Sequence, residues 1–107
     1  MTVFFVQQPS PYRPQPNLTT AQIFGECKFI FAFDDRVSQD PDEHYLKAVS
    51  ALTDFDPAVD FLADCGGDKM SLGVASHVLA RKGILRVPFL RWCRYDGGYY
   101  EETYIGC

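Results

Sequence analysis

The apolar residues of this chain recur with two different periods, and the places where the period changes mark out its elements. The clearest change lies in residues 58–83, AVDFLADCGGDKMSLGVASHVLARKG. A short apolar run with Asp60 and Asp64 as its polar positions reads as a strand, and Gly66-Gly67 reads as a turn. A helical pattern then continues until Gly83 stops it. A strand feeding a helix calls for a parallel strand next, and ILRVPFLRW supplies one. Residues 58–92 are therefore expected to form one βαβ crossover.

The rest of the chain reads outward from that unit. Residues 2–7, TVFFVQ, are β-branched and aromatic, and predict a central or well-covered strand. PSPYRPQP follows, whose prolines remove donors and fix φ, so it predicts an extended connection. Within residues 17–26 a short helix is expected, with Thr19 and Gln22 resembling a capping box. KFIFAF (28–33) is apolar on both faces, which predicts an interior strand. Asp40-Pro41-Asp42-Glu43 supplies an N-cap, a proline at the first helical position and an acidic first turn. That helix should run to about Leu52, with Tyr45, Ala48, Val49 and Leu52 inward and His44 in solvent.

Phe55-Asp56-Pro57 predicts a turn that launches the strand near Val59. In the following helix Met70, Val74, Val78 and Leu72, Ala75, Leu79 make a wide apolar arc. Gly73 inside it suggests a close approach to the sheet. Residues 84–95 read as a long strand with a bulge or an edge at Pro88. Asp96-Gly97-Gly98 is a hairpin signal, and residues 99–105 return antiparallel. The expected fold is a single small α/β domain over residues 1–107. Its sheet is mixed and mostly parallel, with helices packed on it and a C-terminal antiparallel hairpin.

Composition narrows the function classes more than it selects one. With 47% hydrophobic and 22% charged residues among 107, the chain is of ordinary globular type. The apolar runs are broken every few residues by charge or glycine, and the start lacks the features of a signal peptide. A soluble intracellular protein is the expectation. The net charge of −4 hides an asymmetry: residues 34–68 hold ten acids and two bases, a net −8, whereas residues 69–94 hold six bases and no acid. Separated on the surface, such segments would orient a partner; packed together, they would neutralise each other. Cys27, Cys65, Cys93 and Cys107 form no C-x-x-C pair and lie far from His44 and His77, so neither a metal finger nor a cofactor is expected, and the thiols are read as free.

Two constellations could carry chemistry. At the strand-to-helix turn, Gly66, Gly67, Asp68 and Lys69 are candidates for binding an anionic ligand, since glycines there turn backbone N–H groups and a helix N-terminus outward. The spacing matches neither dinucleotide nor P-loop fingerprints, and Asp68 would repel a phosphate. The plainer reading is that Gly-Gly makes the turn and Asp68 caps the helix. The second constellation interleaves arginines with aromatics, and nominates Arg91, Trp92, Arg94, Tyr95 and Tyr99 as a partner-binding surface. Trp92 and Arg94 should share one strand face and Arg91 the other, and core packing of the aromatics is the competing account. An acidic chain of pI about 4.9 is a poor general binder of nucleic acid. His77 is too far along its helix to serve Cys65, and no residue is nominated as catalytic.

FDPAVDFLADCGGD, FLRWCRY and GGYY, in that order, resemble an uncharacterised group of small tailed-bacteriophage accessory proteins. These share an F-D-P-x-x-D strand start, a G-G-D turn, an L-R-W-x-R strand and a G-G-Y-Y return, and the likeness extends to FGECKFIF. The resemblance implies a phage origin, expression in the host cytoplasm and no named enzyme activity. The expected function is therefore non-enzymatic: binding a host macromolecule, most simply a host protein, in host takeover or counter-defence. The alternative is a small-ligand or nucleotide-binding domain using the Gly66-Gly67-Asp68 turn. Oligomeric state is left open, with a homodimer among the options.

Overall fold

β-Branched and aromatic residues dominate TVFFVQ, and in a computed structural model they form a well-covered interior strand of a five-stranded sheet. The structure describes residues 1–12, 18–35, 40–64, 69–93 and 99–106. In chain order the elements are β1 (Thr2–Gln7), α1 (Thr19–Gln22), β2 (Glu26–Phe31), α2 (Pro41–Ala51), β3 (Phe61–Ala63), α3 (Lys69–Arg81), β4 (Arg86–Cys93) and β5 (Tyr99–Gly106). The sheet order is β2-β1-β3-β4-β5. β1 pairs parallel with β2 and β3, β3 pairs parallel with β4, and β5 closes the sheet antiparallel to β4. This is the α/β fold with a C-terminal hairpin that the periodicity predicts, including the β3-α3-β4 crossover.

Side chains alternate across the strands, so the sheet has two cores. Phe4, Val6, Leu62 and Val87 pack beneath α2 and α3 with Ala48, Leu52, Val78 and Leu79. Val3, Phe5, Phe61, Ala63, Leu90 and Tyr100 face the other way, toward Ala21 of α1. Each fully buried large apolar side chain contributes about 1.5–3 kcal/mol.

Local signals set the helix ends. Asp40 Oδ1 accepts the Glu43 backbone N–H at 3.1 Å, Pro41 needs no partner for its nitrogen, and Asp42 and Glu43 complement the helix dipole. At the far end of α3, Gly83 takes φ +88°. The Gly83 N–H reaches Ala80 O and the Ile84 N–H reaches Leu79 O, both at 2.9 Å. This is a Schellman stop, with Ile84 packed on the same core as Leu79.

Several expectations need correction. β2 is an edge strand, with Lys28 and Phe29 exposed; its apolar character comes from Ile30 and Phe31, which pack in the α2–α3 core. Thr19 is the first helical residue of α1 and does not cap it, since Leu18 occupies the cap and no side chain bonds there. His44 is buried and Val49 is exposed, so the inward stripe of α2 runs through His44, Ala48 and Leu52. Gly73 sits on the solvent side of α3 with no atom within 4 Å of where a Cβ would stand, so it marks no close approach to the sheet. Met70 is likewise exposed. Of the bulge or edge expected at Pro88 the structure has the edge: the β4–β5 register runs unbroken through Pro88↔Tyr104, and the β3–β4 pairing begins only at Phe89, so Pro88 faces no partner on the β3 side. β3 begins at Phe61, with Asp60 just ahead of it.

Candidate functional site

The sheet order turns around β1: β2 lies on one side of it and β3 on the other. In open α/β sheets such a point creates a crevice beyond the carboxyl ends of the flanking strands. Here those ends are Gln7 and Ala63. Gly66, Gly67 and Asp68 lie outside the described residues, and Lys69 is the first residue of α3.

The polar groups beside that crevice are tied to one another. Gln7 is buried, and its Nε2 donates to Ala32 O at 3.1 Å and Asp35 O at 2.6 Å, which fixes the loop after β2. The Asp35 carboxylate accepts the Ala32 N–H at 2.9 Å and, through both oxygens, Lys47 Nζ at 3.1 Å. Burial pushes the Asp35 carboxyl up, but the Ala32 N–H and Lys47 outweigh it and hold it below the usual carboxylate range. Asp35 in turn raises the Lys47 ammonium. Deeper in, His44 stacks on Phe31 with ring centroids 3.7 Å apart, and a 3.0 Å hydrogen bond joins its Nε2 to Ser71 Oγ. A histidine on a serine hydroxyl has the form of a base and nucleophile. Both side chains are buried, however, so the pair serves to lock α2 against α3.

The hairpin places its candidates on both sides of the sheet, as strand alternation requires. On the Val87 and Phe89 side, Arg91 Nη2 donates to Glu101 Oε2 at 3.2 Å, and Cys93 Sγ donates to the same oxygen at 3.0 Å. The bond to Glu101, together with burial, raises the Cys93 thiol; the thiol and Arg91 lower the Glu101 carboxyl. A thiol held protonated in this way is a poor nucleophile at neutral pH. On the Leu90 side, Trp92 leans on the buried Tyr100 ring at 5.0 Å and remains 37% exposed. Tyr99 is half-buried opposite Cys93. Arg94 and Tyr95 lie outside the described residues.

At the opposite end of the sheet, Thr2, Phe4, Lys28, Phe29, Asp54 and Asp60 line a cleft of about 330 Å³. Asp60 is buried, and its two oxygens accept the Thr2 and Asp56 N–H groups, both at 2.9 Å. Its carboxylate thus ties the start of β1 to the turn before β3.

A family model described as Phage Pam3 gp32-like protein matches residues 1–104. The chain belongs to this phage protein family. No curated protein and no solved structure matches it. The phage origin implied by the FDPAVDFLADCGGD, FLRWCRY and GGYY segments therefore stands. Among the described residues of this Pam3 gp32-like chain, no helix is long and apolar enough to cross a membrane, and no group of three or more His, Cys, Asp or Glu is placed to hold a metal ion.

Two features escaped the sequence reading. Glu101 joins Arg91 to Cys93 across the hairpin, and the sequence misdirects here: a turn over Asp96-Gly97-Gly98, which lie outside the described residues, would set Glu101 opposite Cys93, whereas the observed register sets it opposite Arg91. The His44–Ser71 bond had a weak signal. His44, Ala48 and Leu52 stand at i, i+4 and i+8, but a histidine at the start of such a series reads equally well as solvated.

Proposed function

We propose that this phage accessory protein acts by binding a host protein through the α1 side of its sheet, with Trp92 as the anchor. The observation that carries the reading is the exposure of the chain's one tryptophan beside Leu90 and Tyr100, both buried. A large aromatic left in water at the rim of a packed face is the composition of an interface hot spot. Phe29, 39% exposed on β2, packs against Phe5 of the same side, and Ile23, just past the end of α1, is a further exposed apolar residue. The family assignment supports the phage setting; the host protein as partner is the proposal. Affinity capture from host lysate with wild type and Trp92→Ala tests it. A protein retained stoichiometrically by wild type and lost by the variant is expected, and equal retention by both contradicts the role of Trp92.

A second reading has one observation in its favour: β3 ends at Ala63 beside the β1/β3 switch point, and α3 begins at Lys69. In it, Gly66, Gly67, Asp68 and Lys69 hold a small anionic ligand or nucleotide. A small molecule co-purifying with the chain, or calorimetric binding of nucleotides at micromolar strength, would favour this reading over the first.

A further inference from the structure

β5 is the outermost strand on its side of the sheet, eight residues long, and among the described residues nothing pairs with its outer edge. Folded proteins blunt such edges with prolines, bulges or charged side chains; YYEETYIG has no proline or bulge, and of its two glutamates Glu101 is held by Arg91 and Cys93, which leaves Glu102 as the one charge beside the edge. The backbone groups on that edge can be identified. Pro88 has no N–H, so its pair with Tyr104 is one that exchanges no hydrogen bonds, and the alternation of an antiparallel ladder then turns the N–H and C=O of Glu102 and Tyr104 outward. The side chains beside this edge carry unmatched charge on the α1 side. Arg86 lies over the Tyr104 ring at 4.2 Å, Tyr104 is 49% exposed, and neither Arg86 nor Glu102 forms an ion pair among the described residues.

We propose that two copies of this chain associate through β5, antiparallel about a two-fold axis at Thr103, to make one continuous ten-stranded sheet. Only registers that set outward-facing residues against each other form the ladder, and two of these retain nearly the whole strand. One centres on Glu102 and opposes it to its own copy, a like-charge pair that is destabilising. The other centres on Thr103, sets Glu102 against Tyr104 of the second copy, and leaves Glu101, already held by Arg91 and Cys93, opposite Ile105. In that register Glu102 and Arg86 of the second copy are two strands and two residues apart on one face. Their Cα atoms stand about 12 Å from each other, a gap that an extended arginine and glutamate close together. Two symmetric Glu102–Arg86 pairs then flank the Tyr104 rings, and an isologous interface of this kind closes at two copies. The inference is independent of host binding, because it uses the sheet edge rather than Trp92.

The test is light scattering coupled to size exclusion, on the full chain over a concentration series, with far-UV circular dichroism of each variant. Wild type is expected to show a concentration-dependent dimer. Glu102→Pro removes an outward-facing donor together with the Glu102 carboxylate, leaves the β4–β5 ladder its bonds, and should yield a folded monomer. Arg86→Glu and Glu102→Arg should each weaken dimerisation at least tenfold, and the double reversal should restore it. A wild type that stays monomeric across the series overturns the proposal. So does a dimer that survives both Glu102→Pro and Glu102→Arg, or single reversals whose defect the double variant does not repair.

Discussion

Buried polar side chains in this protein act mostly as fasteners. Ser71 and His44 join the first turns of α3 and α2, so Ser71→Ala removes one bond from a buried ring and should cost about 1–3 kcal/mol in urea unfolding. Loss below a few tenths would show that the bond contributes nothing. Asp35 gives a pH signature. Its folded-state pKa is lowered from an unfolded value of about 3.9, so its contribution is present above that value and is lost as pH falls through the folded pKa. Stability measured from pH 7 downward should decline below about pH 4, and Asp35→Asn should be less stable at neutral pH with a shallower acid decline. An unchanged acid slope in the variant would contradict the assignment. Neither residue announces itself in the sequence: Asp35 is one of ten acids between 34 and 68, and only the fold brings Lys47 to it.

At the scale of elements, the signals that proved legible are those in which one residue type satisfies a local backbone need. Asp40 and Pro41 start α2, Gly83 ends α3, and Val and Phe mark β1 and β4. Asp40→Ala is expected to cost about 1 kcal/mol, the usual value for a lost N-cap, read from the unfolding midpoint. Gly73, by contrast, has helical backbone and open space around it, so Gly73→Ala should stabilise by about 0.5–1 kcal/mol; a loss would restore the close approach that its place in the pattern suggests. Gly25 takes φ +151°, and a Cβ there would lie 2.6 Å from Met1 O, so no substitution is expected to be tolerated. What stayed hidden was long-range. An apolar strand reads as interior whether a second strand or a helix covers it, and β2 turned out to be an edge because α2 supplies the cover. The placement of Trp92 on one side of the sheet and Arg91 on the other was legible because side chains alternate along a strand. Glu101 was missed because its role depends on pairing across the hairpin.

At the scale of the molecule, the two faces of the sheet are unequal. Two long helices cover one, while the only described helix on the other has four residues, and there the partly exposed Trp92 and Phe29 stand at the flanks of a buried apolar centre. The acidic and basic segments do not neutralise each other through ion pairs among the described residues: Lys47 pairs with Asp35 and Glu43 within the acidic segment, and Arg91 pairs with Glu101 beyond both segments. Lys82 does cross between them, but it donates to the carbonyls of Leu52 and Thr53 at the end of α2. Charge left on the surface in this way can orient a partner before the apolar contact forms. The measurement that bears most directly on the role of the α1 side is the affinity of the captured host protein for wild type and Trp92→Ala, paired with the thermal midpoint of each. The expected result is binding weakened at least thirtyfold, a hot-spot loss of about 2 kcal/mol, in a variant that still unfolds cooperatively. Undiminished affinity in a folded Trp92→Ala variant would contradict the account.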